Sequence, residues 1–227
     1  MAKSLQDIIE KSPVLMNVER RNLVFLPTGD GMIICLLVSE ETPLAIVQLA
    51  EHLQHALKKR NEESGPEEEI IVRIGIHSGT GASYIDINGN MNIAGTVANT
   101  TQRVMASGKA WHIIASRNAF DDIATLDREV QKVFHHIGTV EDKHKNAIVV
   151  YNVYRVGKEP FGNPDTPLGV QQLEKGAPTQ QTGNIDGRGK AGEEMERGKQ
   201  VEECRATEAG AIVVSPELQA KNVLSPT

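Results

Sequence analysis

Two apolar stretches meet at a Gly-Asp-Gly turn, and this feature constrains the fold more than any other. Residues 22–26 and 32–38 are typical of extended strands, and Gly29, Asp30 and Gly31 lie between them. Glycine permits the backbone angles that a tight hairpin requires and lets a ligand approach closely. The sequence therefore predicts an antiparallel hairpin with Asp30 at its tip, where a carboxylate suits a hard cation such as Mg²⁺.

A second pattern lies in residues 92–106, which are predicted to form a helix. Asn99 and Arg103 stand four residues apart there and so share one helix face. An amide and a guanidinium on one face suit phosphate or ribose oxygens. Taken singly, a Gly-Asp-Gly turn is more often only a turn, and an Asn/Arg pair is more often a solvated face. The functional interpretation depends on their combination.

The rest of the pattern favours an α+β sandwich, in which helices are packed on one side of an antiparallel sheet. Thr42 and the proline after it begin a helix, and residues 70–77 form a strand rich in β-branched side chains. A second hairpin turns at Asn88, and residues 133–140 and 147–155 are typical of a closing antiparallel pair. Strands and helices alternate without the long runs of a parallel doubly wound fold.

Composition divides the chain near residue 156. Residues 157–227 are rich in Gly, Pro, Gln, Glu and Lys, and they hold few apolar side chains before residues 211–214. Such a segment buries too little apolar surface to offset the entropy of ordering it. We therefore predict one domain over residues 1–156 and a mostly disordered tail or linker over residues 157–227. The apolar run at 211–214 is interpreted as a hydrophobic bump in preference to a docking strand.

Charge and hydropathy exclude several classes of protein. The net charge of -6 argues against a nucleic-acid partner, which requires clustered Lys and Arg. The longest wholly apolar run, residues 32–38, is too short to span a bilayer, and the N-terminus shows no apolar signal segment. The two cysteines, Cys35 and Cys204, provide neither a disulfide framework nor metal-ligand spacing. We predict a cytoplasmic protein without a membrane span.

The ordered motifs resemble the class III adenylate/guanylate cyclase catalytic domain, in particular its bacterial branch. The motifs are LPTGDGMII at residues 26–34, VRIGIHSG at 72–79, NIAG at 92–95 and NTTQR at 99–103, and the resemblance extends from about residue 4 to residue 155. It implies a ferredoxin-like βαββαβ core. The family begins with a strand before its first helix, whereas this sequence begins at that helix, so the resemblance also implies an N-terminally truncated domain.

The resemblance implies a reaction, a cofactor and an assembly. Class III cyclases convert ATP or GTP into a 3′,5′-cyclic nucleotide and pyrophosphate, using two divalent ions, Mg²⁺ or Mn²⁺, at a dimer interface. By matching position, Asp30 is one of the two metal-binding aspartates, with Gly29 and Gly31 beside it at the substrate site. Asn99 then orients the ribose, and Arg103 stabilises charge on the α-phosphate.

The sequence also departs from the family pattern. The family's second metal aspartate belongs to the strand before the first helix, and we predict that this strand and its aspartate are missing here. Leu26 and Thr96 occupy the positions where adenylate cyclases carry a Lys and an Asp that read the base, so ATP and GTP are not distinguished. Lys143 and Lys145 fall where the family places a phosphate-contacting lysine, and a solvated basic hairpin tip is an equal alternative.

Three functions therefore stay open at the level of sequence. The first is an active nucleotidyl cyclase, working as a homodimer or as a heterodimer with another cyclase chain. The second is a catalytically silent cyclase-homology module that dimerises with, or regulates, a complete cyclase chain. The third is a ferredoxin-like interaction domain with no nucleotide role, because a fold alone does not establish a function.

Overall fold

The computed structural model describes residues 7–16, 18–29, 31–37, 42–65, 68–141, 146–158, 161–165 and 206–216, the last as backbone. Its helices are α1 (Pro13–Met16), α2 (Thr42–Glu63), α3 (Thr96–Ala106), α4 (Arg117–Ala124) and α5 (Arg128–Gln131). Its strands are β1 (Leu23–Thr28), β2 (Gly31–Leu37), β3 (Val72–Ile85), β4 (Met91–Gly95), β5 (Ile113–Ser116), β6 (Phe134–Glu141), β7 (Ala147–Val153) and β8 (Ala206–Pro216).

All eight described strands belong to one sheet, in the order β1-β2-β8-β3-β5-β7-β6, with β4 paired to β3. Every pair is antiparallel except β3 with β5, which are joined through β4 and α3. Three of the pairs, β1–β2, β3–β4 and β6–β7, are hairpins. The predicted α+β class and its mainly antiparallel sheet are confirmed.

Helices cover both faces of the sheet, so the prediction that they pack on one side is wrong. The main core packs α2 and α4 against one face, where Ile34 and Ile74 are fully buried. On the opposite face, α3 packs against Ile33 and Cys35 of β2 and against Ile114 of β5. Successive strand residues point to opposite faces, so a strand covered on both faces must be apolar throughout. All seven residues of β2 are accordingly buried.

The C-terminal strand β8 lies in the middle of the sheet, between β2 and β3. Its register pairs Val214 with Met32 of β2, and Ile212 with Ile76 of β3. The prediction of a disordered tail is therefore wrong for residues 206–216, and so is the interpretation of 211–214 as a mere bump. A short apolar, β-branched run forms a strand because two open strand edges are available to it, whereas the average composition of the tail conceals that run.

Residues just beyond the predicted domain boundary also pack on the core. Phe161 is 2 % exposed, and the backbone N–H of Gly162 donates to Gln54 Oε1 of α2 at 2.6 Å. The boundary at residue 156 is therefore too early, because this apolar ring follows the last domain strand closely in sequence. The remainder of the predicted tail, residues 166–205 and 217–227, lies outside the described residues, and its disorder stays a prediction.

The helix predicted over residues 92–106 begins later than expected. Residues 92–95 belong to β4, which pairs with β3 around a turn at residues 86–90. The Asp86 carboxylate holds this turn by accepting the backbone N–H groups of Asn88 and Asn90 at 2.8 and 2.9 Å. The predicted hairpin at Asn88 is confirmed. No helix within the described ranges is long and apolar enough to cross a bilayer.

Candidate functional site

The β1–β2 hairpin places the predicted metal turn at one end of the sheet. Thr28 and Gly31 form the last pair of the hairpin, so Gly29 and Asp30 alone connect the strands. Gly29 has φ 81° and is exposed, and a Cβ added there would meet no atom within 4 Å. The turn thus needs glycine for its backbone angle while leaving space for a ligand. Asp30 itself lies outside the described residues, and its position at the tip stays a prediction.

Two glycines set the position of α3 on the sheet. Gly95 precedes the helix with φ 123°, and a Cβ there would lie 3.3 Å from Gly81 Cα. Below the helix, a Cβ on Gly75 of β3 would lie 2.6 Å from Met105 Cβ and 2.7 Å from the Thr101 carbonyl oxygen. Because neither glycine has a side chain, α3 lies directly on β3.

The outer side of α3 carries the predicted Asn/Arg pair. The helix buries Val97, Thr101, Val104 and Met105 against the sheet. Asn99 is exposed and Arg103 is half-buried, and the two residues lie four apart in the helix. Thr96, the first residue of α3, is also exposed. The two side chains predicted to bind ribose and phosphate, Asn99 and Arg103, therefore lie on the outer side of a helix that the sheet holds in place.

Leu26 lies on the same face of the sheet as α3. It packs against the apolar cluster that includes Ile33 of β2 and Val97 of α3. A lysine at this position would place an ammonium group next to an apolar cluster, whereas leucine extends that cluster. Leu26, at the position where the resemblance expects a side chain that recognises the base, therefore has an aliphatic surface.

A cleft of about 780 Å³ opens beside Leu26, between β1 and the β3–β4 hairpin. Met91 and Asn92 of β4 line one side, and Arg20 lies at its rim with its guanidinium carbon 4.9 Å from the Phe25 ring centroid. A volume of this size is typical of small-molecule sites. Of the residues that line this cleft, Asn92 belongs to the NIAG motif identified in the sequence, whereas the motifs did not single out Arg20. The signal available for Arg20 was the Arg20-Arg21 pair directly before a strand that leads to the turn.

The other predicted phosphate contacts fall at the tip of the β6–β7 hairpin. These strands pair as far as Glu141 with Ala147, so residues 142–146 connect them. Lys143 and Lys145 belong to this connection and lie outside the described residues. Their contact with phosphate stays a prediction.

A buried histidine lies on β3, next to the strand that fills the middle of the sheet. His77 is 8 % exposed, and its Nδ1 lies 2.8 Å from the Ser116 hydroxyl oxygen. That oxygen also accepts the backbone N–H of Ala119 as the N-cap of α4, so its own proton is available to Nδ1. Burial lowers the pKa of His77 to about 4. The ring is therefore neutral near pH 7 and joins β3 to the start of α4.

This burial makes the stability of the fold depend on pH. The unfolded chain protonates His77 near its ordinary pKa of 6.5, while the folded chain resists protonation down to about 4. The unfolded state therefore gains protons first, and stability falls as pH drops from 6.5 to 4, by about 3 kcal/mol for this group. Denaturant titrations across this range should show that fall, and His77→Gln should flatten it. An unchanged slope in the variant would contradict the assignment.

Within the described residues, the structure holds no cluster of side chains that could bind a metal ion by itself. Asp30 is the single carboxylate of the turn, and the described residues contain no cluster of three or more His, Cys, Asp or Glu side chains. The end of β8 nearest the turn reads Val-Ser-Pro, and its only carboxylic residue, Glu208, pairs with Thr80 at the other end.

Comparisons with known proteins agree with this architecture. The fold resembles adenylate cyclases from Trypanosoma brucei in their monomeric state, with a TM-score of 0.50, 16 % identity, and coverage of 76 % of this chain and 84 % of the other. A guanylate cyclase domain from Catenaria anguillulae in complex with GTP gives a TM-score of 0.50, 19 % identity, and coverage of 66 % and 80 %.

A third similar structure is the catalytic core of a rhodopsin-guanylyl cyclase with converted specificity, with a TM-score of 0.50, 20 % identity, and coverage of 66 % and 79 %. At such identities these structures show the fold alone. A comparison with curated proteins finds no significant match. The sequence profile of the adenylate and guanylate cyclase catalytic domain matches residues 5–154. The chain therefore belongs to the adenylate and guanylate cyclase catalytic domain family.

Proposed function

We propose that this chain is a nucleotidyl cyclase domain that forms a 3′,5′-cyclic nucleotide and pyrophosphate from ATP or GTP. The observation that carries the proposal is the outer side of α3, where Asn99 and Arg103 project from a helix seated on Gly75. Leu26 contributes to the same face of the sheet. A rigid element that presents an amide and a guanidinium four residues apart suits a substrate with ribose and phosphate oxygens.

The reaction assigns a separate task to each group. The ribose 3′-oxygen attacks the α-phosphorus, the bond to the pyrophosphate oxygen breaks, and the 3′-hydroxyl proton is released. The Asn99 amide holds a ribose oxygen in line for attack, and the Arg103 guanidinium stabilises the charge that develops on the α-phosphate. Lys143 and Lys145 contact the remaining phosphates. Asp30 would hold a divalent cation, Mg²⁺ or Mn²⁺, which would supply positive charge to neutralise the triphosphate.

We further propose that the working unit is a dimer. Asn99 is exposed in the single chain, so a second chain is available to cover it and to exclude water from the reaction. A homodimer provides each site with the turn of one chain and the α3 of the other, and a heterodimer with another cyclase chain serves equally. A cytoplasmic location remains part of this proposal.

A second candidate function is a catalytically silent module that regulates a complete cyclase chain. It is favoured by the end of β8, because the strand beside the turn presents Val214, Ser215 and Pro216 and no carboxylate. A two-cation reaction usually requires a second acidic ligand. Leu26 and Thr96 also lack the charged groups that read a purine edge.

A cyclase assay separates these candidates. The full chain is incubated with ATP or GTP and with Mg²⁺ or Mn²⁺, and cyclic nucleotide is quantified by mass spectrometry. Product that depends on the cation and falls about 100-fold in Asn99→Ala supports the cyclase. Absence of product, together with an altered rate when a complete cyclase chain is added, supports the silent module. If the chain forms no product and also leaves the rate of a complete cyclase chain unchanged, both candidates are overturned.

Base selectivity provides a further prediction. Leu26 and Thr96 offer no charged partner to a purine, so kcat/KM for ATP and GTP should differ by less than about 10-fold. The double variant Leu26→Lys, Thr96→Asp should favour ATP by about 10-fold or more. Competition of the two substrates in one reaction measures this ratio directly. The conservative variant Leu26→Met is the control, and its ratio should equal that of the parent chain.

A further inference from the structure

The strand in the middle of the sheet comes from a distant part of the sequence. The described elements up to residue 165 supply seven of the eight strands, and β8 then follows after the forty residues 166–205. It enters between β2 and β3, whose other edges are occupied by β1 and by β4 and β5. Without β8, these seven strands form two separate groups with a gap between them.

The width of the gap and the direction of its two walls suit one extended peptide. Six positions of β2 and eleven positions of β3 pair with β8, and both pairings are antiparallel. Strands in a sheet lie about 4.8 Å apart, so a gap of two spacings accepts a single strand. The peptide must run antiparallel to both walls, because only that direction continues the ladders already present.

In its central part, the gap has mostly apolar walls that are covered on both faces, and the buried His77 of β3 lies among them. Ile33 and Cys35 of β2 lie under α3, while Ile34 of β2 and Ile76 of β3 lie under α2, and all four side chains are buried. A strand in this gap is shielded from water on both sides, so it must carry no charge in its central part. Residues 209–214 read AGAIVV and meet that requirement.

We propose that the gap between β2 and β3 is a strand-binding slot for an uncharged aliphatic peptide, and that residues 206–216 are its ligand within the same chain. An empty slot would leave buried backbone N–H and C=O groups unpaired on both walls, and such unpaired groups are destabilising. The tether of residues 166–205 keeps the ligand at a high effective concentration. The proposal concerns peptide binding and is independent of catalysis.

Cleavage of the tether in the full chain tests whether β8 behaves as a bound ligand. A protease recognition sequence is inserted between Gly183 and Asn184, and the folded protein is cut. We expect the C-terminal fragment to co-elute with the rest of the chain in gel filtration. A fluorescent peptide with the sequence of residues 206–216, added in excess, should displace that fragment and co-elute in its place.

The matched control is the same peptide with Val213→Pro. This position pairs with Ile33 of β2 and Gly75 of β3, and proline in a central strand removes a ladder hydrogen bond. The proline peptide should not bind. The proposal is overturned if the cut fragment separates while the remainder keeps its melting temperature. It is also overturned if the proline peptide and the native peptide bind alike, or if neither binds.

A cross-link distinguishes a strand from the same chain from one donated by a second copy. Thr80 of β3 pairs with Glu208 of β8 at the open end of the slot, and Thr80 is exposed. The double variant Thr80→Cys, Glu208→Cys should form a disulfide within a monomer on a non-reducing denaturing gel. A cross-linked dimer would overturn binding within one chain and would identify a second copy as the strand donor.

Discussion

Replacing Gly75 by alanine is expected to lower the free energy of unfolding by about 3 kcal/mol. The new Cβ would lie 2.6 Å from Met105 Cβ, 2.7 Å from the Thr101 carbonyl oxygen and 2.8 Å from the Met105 nitrogen. Two of these atoms belong to the backbone of α3, so the helix must lift from the sheet as a unit. Denaturant titration, monitored by circular dichroism, measures the change.

The matched control is Gly65→Ala, where a Cβ meets no atom within 4 Å. That variant should change stability by less than about 0.5 kcal/mol. Equal effects of the two substitutions would show that α3 does not lie on β3 at Gly75. Since α3 carries Asn99 and Arg103, Gly75→Ala should also reduce any activity that depends on them at temperatures well below unfolding.

Replacing Arg103 by alanine is expected to reduce kcat for cyclic nucleotide formation by about 100- to 1,000-fold. The guanidinium acts on charge that develops on the α-phosphate, so KM should change much less than kcat. Arg103→Lys should recover only part of the rate, because an ammonium group does not reproduce the planar, two-pronged geometry of guanidinium. Steady-state kinetics with the preferred nucleotide and cation measure both parameters.

Arg117→Ala provides the control for loss of a positive charge. Arg117 lies on α4, is exposed, and forms an ion pair with Asp121 at 2.7 Å within the same helix. An exposed pair of this kind contributes little to stability, so kcat and KM should stay within about twofold of the parent chain. A similar loss of kcat in both variants would indicate a general effect of charge, and Arg103 would then have no specific role in the reaction.

Local sequence patterns predicted those parts of the candidate site whose geometry depends on residues close together in sequence. The Gly29–Gly31 turn joins two adjacent apolar strands, and its geometry depends on a few residues next to one another in sequence. The helical spacing of Asn99 and Arg103 also needs no distant contact. The start of α3 was misplaced because residues 92–95 pair with β3, and the choice of strand for that stretch depends on a partner more than on its own propensity.

The central strand was beyond the reach of local patterns. Residues 212–214 are three apolar side chains in a polar region, and their conformation is decided by open edges on β2 and β3. Nothing in the short run itself specifies which edges it joins, since pairing partners are distant in sequence. Local patterns also could not predict the hydrogen bond between His77 and Ser116. These two residues are distant in sequence and come together only because β3 pairs in parallel with β5.

The late position of β8 in the sequence has a consequence for synthesis on the ribosome. Roughly 120 residues separate the end of β3 from the start of β8, and translation at ~5–20 residues per second takes about 6–24 s to cover them. During that interval the nascent chain holds two unpaired, aliphatic strand edges, which are templates for pairing with other chains. Newly made protein is therefore most prone to aggregate before β8 emerges, and slow translation of residues 166–205 should lower the yield of folded chain.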